Sequence, residues 1–393
     1  MNKEIGIYVH IPFCKKKCYY CDFVSFPNCN NEIIEKYVEN LKKEIEYGIR
    51  KTLKLFKQNY DNVEGINVNS IYFGGGTPSF IDAKYINDIL NCLYLNENMK
   101  INDDCEITIE ANPGTVDYDK LKAYKDMGFN RISLGLQSTN DEILKKIGRI
   151  HSYDEFLDAY KIAREVGFNN INVDLMFGLP YQTLEDVNDA INKIIELNPE
   201  HVSTYSLIVE DDTEMARMVD SDEIELPDEE NEREEYWLVK KRLEREGYRH
   251  YEISNFAKEN YESRHNMNCW KQEEYLGFGV NASSYVEKMR YSNIENLEEY
   301  IKNIEENRFD SNVIIEEVQD KKTMENEFMV LGLRMIDGVD ISKFIERFKE
   351  NPLELYSDSL KKLLKDNMIT IGDRIKLTDK GLDLANIVWE EFI

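Results

Sequence analysis

The sequence has no run approaching the ~20 consecutive apolar residues that a bilayer-spanning helix needs. Its N-terminus lacks a basic region followed by an apolar stretch and a small-residue cleavage site. Neither a membrane-embedded nor a secreted chain is expected, so the simplest location is the cytoplasm, with peripheral membrane association left open. Positive charge is scarce: 49 Lys and Arg stand against 76 Asp and Glu, a net charge of −27. Nonspecific nucleic-acid binding needs clustered cations to neutralise phosphates, so this balance argues against it. Cysteine is sparse and odd in number, seven in 393 residues, which does not suit a disulfide framework. Internal repeats and low-complexity linkers are missing too. What remains is a chain of ordinary hydrophobic content, long enough for one large α/β domain and a smaller module.

Three of the seven cysteines fall within eight residues, in Tyr8-Val9-His10-Ile11-Pro12-Phe13-Cys14-Lys15-Lys16-Lys17-Cys18-Tyr19-Tyr20-Cys21-Asp22-Phe23. Such crowding reads as metal binding. Cys-x3-Cys-x2-Cys lets one short loop wrap three corners of a [4Fe–4S] cubane. An electron-transfer cluster normally takes four protein thiolates; three leave one iron open to a substrate. The natural fourth ligand is the methionine moiety of S-adenosylmethionine (SAM), and electron transfer into its sulfonium yields a 5′-deoxyadenosyl radical. The rival readings are three buried thiols, or a zinc site with His10 as fourth ligand. Cys29 reads as a loop thiol, and Cys92 and Cys105 as ordinary packed thiols.

Strand-like runs Ile5–His10, Ser70–Phe73, Glu106–Glu110, Arg131–Leu136, Asn170–Leu175 and His201–Ser206 alternate with amphipathic stretches. The latter are Asn31–Arg50, Asp82–Leu95, Asp117–Met127, Tyr153–Val166, Thr183–Leu197 and Asn231–Glu246. Gly128 and Gly167 sit where helix C-caps fall. This alternation predicts parallel strands with right-handed crossovers, an open (β/α)6 barrel of TIM-like kind over residues 1–250. Residues 251–318 read as a barrel extension and polar connector. Residues 319–393 read as a mostly helical, winged-helix-like module with a hairpin at Ile369–Leu377 turning at Gly372–Asp373.

Polar residues recur where the strands end, the face at which parallel barrels gather ligands. Gly74-Gly75-Gly76-Thr77-Pro78 offers backbone groups to SAM's amino group. The Glu110 carboxylate suits a ribose diol, Gln137 suits the nucleoside, and Arg149 suits SAM's carboxylate. Asp174 closes the fifth run. Each alone is as well explained by capping or packing; together they suggest one cofactor site.

With the cluster loop, Gly74–Pro78, Glu110–Gly114, Gly135–Gln137, Gly148–His151, Asp174–Pro180 and His265–Trp270, nearly the whole chain resembles the oxygen-independent coproporphyrinogen III oxidase family of radical SAM proteins, and within it the heme-chaperone branch. The resemblance implies SAM contacts at Tyr8, Tyr20, Gly75, Gly76, Thr77, Glu110, Gln137, Arg149 and Asp174, and the cluster on Cys14, Cys18 and Cys21. The oxidases' motif carries a further cysteine where this chain has Phe23, and a longer segment before the cluster, so decarboxylation of coproporphyrinogen is not expected. The chaperone branch is similar in a His-Asn-x-x-Tyr-Trp motif, read here as His265-Asn266-Met267-Asn268-Cys269-Trp270 with Cys for Tyr. His265 is thereby a candidate heme-iron ligand. The implied partners are heme, an apo-hemoprotein such as a respiratory enzyme, and an electron donor. A radical SAM enzyme acting on a porphyrin is the alternative.

Overall fold

A computed structural model describes residues 2–393. Six strands, Lys3–Ile11 (β1), Ile66–Gly75 (β2), Met99–Ala111 (β3), Arg131–Gln137 (β4), Ile171–Phe177 (β5) and His201–Ser206 (β6), run parallel and adjacent in that order. The crossovers are helical: Asn31–Asn59 (α1), Ala83–Tyr94 (α2), Tyr118–Met127 (α3), Asp141–Lys146 (α4), Tyr153–Glu165 (α5) and Leu184–Leu197 (α6). Their starts are written in the sequence. Asp117 accepts from the Lys120 amide, and Ser152 with Glu155 and Thr183 with Asp186 form reciprocal capping boxes. Gly128 closes α3 in the left-handed region at φ +105°.

The expected six units are present, and residues 251–318 hold more structure than a polar connector. After Arg249–Glu252 (β7) and Asn255–Ala257 (β8), the strand Tyr275–Phe278 (β9) pairs parallel with β1 and makes a seventh parallel strand. Ser283–Val286 (β10), Met289–Asn293 (β11) and Val313–Val318 (β12) extend that edge antiparallel. The sheet order is β12-β11-β10-β9-β1-β2-β3-β4-β5-β6-β8-β7, with two ends. The segment's strands are mostly four or five residues long, too short for alternation to stand out.

The two faces of the sheet differ in chemistry. Ile7, Val9, Ile71, Phe73, Ile107, Ile109, Ile132, Leu134 and Val173 are buried in one continuous core with the helices. Each such side chain contributes ~1.5–3 kcal/mol of burial, and this holds the helices on. The alternate positions are polar and face the lumen. Register aligns them in rows: Tyr8, Tyr72, Thr108 and Arg131 are successive partners, as are Glu110, Ser133, Asn172 and His201.

The C-terminal region has a separate core that includes Met329, Leu333, Phe344, Leu363, Ile375 and Phe392. Its sheet has three strands, Val339–Asp340 joining the expected hairpin Ile369–Ile371 and Arg374–Leu377. This module docks beside β7. Ile253 donates to the Arg334 carbonyl (3.1 Å), and Ile336 donates to the Tyr251 carbonyl (3.0 Å). The Arg334 guanidinium lies over Trp270 (4.4 Å) and Trp389 (5.1 Å). Among the described residues no helix is long and apolar enough to cross a membrane.

Candidate radical chamber

The cluster loop leaves β1 at the C-terminal end of the sheet, where Phe13–Cys14 pairs with Phe26–Pro27. The glycine run after β2 packs under it. Gly76 donates to the Ile11 carbonyl (3.0 Å), Thr77 donates to the Phe13 carbonyl (2.9 Å), and Thr77 Oγ1 lies 3.4 Å from Cys14 Sγ. A Cβ on Gly76 would come 3.0 Å from both Cys14 Sγ and the Phe13 backbone. Gly75 holds φ +111°, and a Cβ there would strike the His10 ring at 2.7 Å. Gly75 therefore requires glycine, and a methyl at position 76 would crowd the cysteine loop.

Arg149 joins the loop to the barrel: it donates to Cys18 Sγ (3.6 Å) and the Gly135 carbonyl (2.6 Å). Its Nε has no protein partner. Tyr20 packs beside Arg149, and burial raises its phenol. Burial likewise pushes the Cys14 thiol up and the Cys21 thiol up to about 11. The zinc reading loses its fourth ligand. His10 Nδ1 bonds the Tyr8 hydroxyl (3.0 Å) and its Nε2 bonds the Val24 carbonyl (3.1 Å), so both ring nitrogens are taken. Among the described residues no group of three or more His, Cys, Asp or Glu converges to hold a single ion.

Below the loop lie the lumen carboxylates. Tyr72 donates to Glu110 (2.8 Å). Burial lifts Glu110 to about 7 against that hydrogen bond, with the Asp174 charge adding to the rise. Asp174 is fixed by Ser133 (3.1 Å) and Asn172 (2.7 Å), and burial raises its carboxyl also. Gln137 stands at φ +73°, unusual for a residue with a side chain, and accepts from the Tyr205 hydroxyl (3.2 Å). Gly76, Thr77, Arg149 and Tyr20 thus stand against the cysteine loop, with Tyr8, Gly75, Glu110, Gln137 and Asp174 in the same lumen below it.

Several lumen residues escaped the reading of strand ends. Arg131, at the start of β4, is 2% exposed, and its Nε has no partner. Its charge acts on Glu110, Asp174 and His265. Ser133, Asn172 and Tyr205 orient the predicted residues. The signal that could have found them is alternation, since polar residues recur at 131, 133 and 137 and at 172 and 174.

His265 lies on the short helix Arg264–Trp270, whose amides at 264 and 265 are bound by Glu106 from β3. Its ring enters the lumen and stacks on Tyr72 (4.9 Å between centroids, 26°) and Tyr8 (6.1 Å, 26°). Burial, with the Arg131 charge, lowers its imidazole to about 4.

A cysteine-bearing loop over a polar-lined, parallel α/β sheet defines the class. The family model described as Radical SAM superfamily matches residues 8–194, and the HemN C-terminal domain model matches residues 319–384. The superfamily implies a [4Fe–4S] cluster and SAM, and the glycine cradle, the unpartnered Arg149 Nε and the three thiols fit both. Proteins named heme chaperone HemW are similar throughout. That of Lactococcus lactis is 36% identical, covering 100% of this chain and 98% of the relative. That of Bacillus subtilis is 36% identical over 98% of each. The chain belongs to this HemW family. The solved structure of coproporphyrinogen III oxidase (HemN) from Escherichia coli superposes with a TM-score of 0.82 at 24% identity. It covers 100% of this chain and 90% of that one, and shares the fold.

Proposed function

We propose that this protein carries heme and delivers it to an apo-hemoprotein, with a SAM-binding radical chamber in the same molecule. Cys14, Cys18 and Cys21 would hold the cluster through their three thiolates. The chemistry supplied there would be electron transfer to the sulfonium of SAM. The protein's own residues bind and orient. Gly75, Gly76 and Thr77 would present backbone to the methionine end, Arg149 would meet its carboxylate, and Glu110 and Asp174 would receive the ribose and amino groups. Gln137 and Tyr205 flank the nucleoside, and Tyr8 and Tyr20 close the walls. Arg131 sits behind the two carboxylates as their counter-charge.

One observation carries the heme part of this reading. The helix Arg264–Trp270 turns His265 into the radical chamber, while Met267 and Trp270 line a cleft of about 1000 Å³ against the C-terminal module. The relatives' name, heme chaperone, agrees with a protein that needs two ligand sites. The protein acts in the cytoplasm or at a membrane surface, takes electrons from a reductase, and serves an acceptor such as a respiratory enzyme.

The test is an anaerobic heme titration of reconstituted protein, followed by transfer to an apo-hemoprotein with SAM monitored. Stoichiometric binding and transfer without matching SAM loss are expected. SAM consumed in step with a modified porphyrin would instead make the protein an enzyme.

A further inference from the structure

The cleft between the base of the barrel and the C-terminal module has an unusual charge balance. Six cationic side chains line it. Arg249 pairs with Glu262 and Asp337, Arg264 with Asp104, and Arg374 with Asp340. The other three, Lys271, Lys343 and Arg347, have no carboxylate partner within salt-bridge distance. Arg347 reaches only the backbone carbonyls of Lys271 (3.4 Å) and Gln272 (3.1 Å). Lys271 comes from the barrel side and Lys343 from the module helix Ile341–Phe348. Burial and then the Lys343 charge lower the Lys271 ammonium, against the smaller pull of Glu273 and Glu262. Two further lining carboxylates, Glu273 and Glu346, also sit outside any ion pair, so the cleft keeps a small excess of positive charge in a chain whose acids outnumber its bases 76 to 49, which favours an anion there.

Met267, Trp270, Phe328 and Met335 give the lining a soft apolar part, beside the polar Tyr251 and Asn260. The Trp270 Nε1 has no partner. The volume, about 1000 Å³, suits a drug-sized or larger ligand. An apolar floor under a cationic rim fits a flat amphipathic anion, and thioethers are known axial donors to heme iron.

We infer that heme is carried in this cleft, its carboxylates held by Lys271, Lys343 and Arg347 and its iron met by the thioether of Met267 or Met335. The inference rests on the heme-carrier reading and deepens it. It also separates the cargo from the radical chamber. His265 faces the chamber from the opposite side of the same helix, so cargo and SAM lie on two sides of a septum one helix thick.

The test is an anaerobic heme titration of the reconstituted full-length protein, read by absorbance, for wild type, Lys271→Glu/Lys343→Glu, Met267→Leu/Met335→Leu and His265→Ala. Both lysines are exposed, so charge reversal should leave iron and sulfide content at wild-type values. The expected result is a loss of heme affinity of at least tenfold in the lysine variant. Wild-type affinity should fall as salt rises, more steeply than in the variant. The methionine variant should change the visible spectrum of bound heme. No binding by wild type overturns the carrier reading and the cleft with it. Wild-type binding that survives lysine reversal, or a loss that follows only His265→Ala, overturns the cleft alone and moves heme into the chamber.

Discussion

The two ends of this barrel are built by opposite means. At the C-terminal ends of the strands the protein offers glycine backbone, thiols and carboxylates, close-packed around positions where a Cβ does not fit. At the base it offers a wide cleft of methionine, aromatic rings and unpaired cations. The first arrangement suits a cofactor held in one geometry. The second tolerates a ligand that must come and go, because thioethers and long ammonium side chains adapt. A column of rings, Tyr8, Tyr72 and His265, stands between them, with centroids 4.9 to 6.3 Å apart.

The contrast can be broken most severely at the chamber. Cys14→Ala, Cys18→Ala or Cys21→Ala should each abolish the cluster in iron and sulfide analysis, while Cys29→Ala keeps it. Loss in the Cys29 variant would refute the three-ligand assignment. Next in size is Gly76→Ala, which forces a methyl against Cys14 Sγ and the Phe13 backbone. SAM affinity by calorimetry should fall at least tenfold, about 1.4 kcal/mol, with heme binding unchanged. A parallel loss of heme would mean that the two ends are not separate.

Trp270→Leu sharpens the comparison from the other side. It removes one of the two indoles that hold Arg334, worth ~0.5–2 kcal/mol. Faster proteolysis near the module boundary should result, with SAM affinity retained. The smallest effect is expected at Glu44, which belongs neither to the proposed cofactor site nor to the cleft. It accepts from the Gly279 amide (2.8 Å), from Asn293 (2.6 Å) and from the Tyr300 hydroxyl, and burial lifts it to about 7. Between the ordinary glutamate value and about 7 the native state keeps a proton that the unfolded chain has lost. Stability therefore falls as pH rises through that window. Glu44→Gln should flatten this part of a melting-temperature profile; an unchanged profile would remove Glu44 as its source.

Much of the chamber was legible because its chemistry is local in sequence. The spacing of Cys14, Cys18 and Cys21 and the run Gly74–Gly76 each carry their reason within a few residues. The six strands were legible because they repeat with helices of ordinary length. Arg131 was not legible, since a cation at the start of a strand reads as a solvated end until the register sets it beside Thr108 and Tyr72. The strand Tyr275–Phe278 was missed for a related reason. Its four residues gain meaning only from β1, more than 260 positions earlier. The cleft was least visible of all, because its walls come from segments that meet only when the C-terminal module docks.

The lumen's polarity has a thermodynamic side. Arg131 Nε, Arg149 Nε, Thr108 Oγ1 and His265 Nδ1 are enclosed without a protein partner, and such groups weaken a fold until something satisfies them. A ligand that does so adds its binding free energy to the native state by mass action, about 2.7 kcal/mol at a hundredfold excess over Kd. The fraction of chains that stay folded under heat or protease thus becomes a gauge of how much SAM surrounds them.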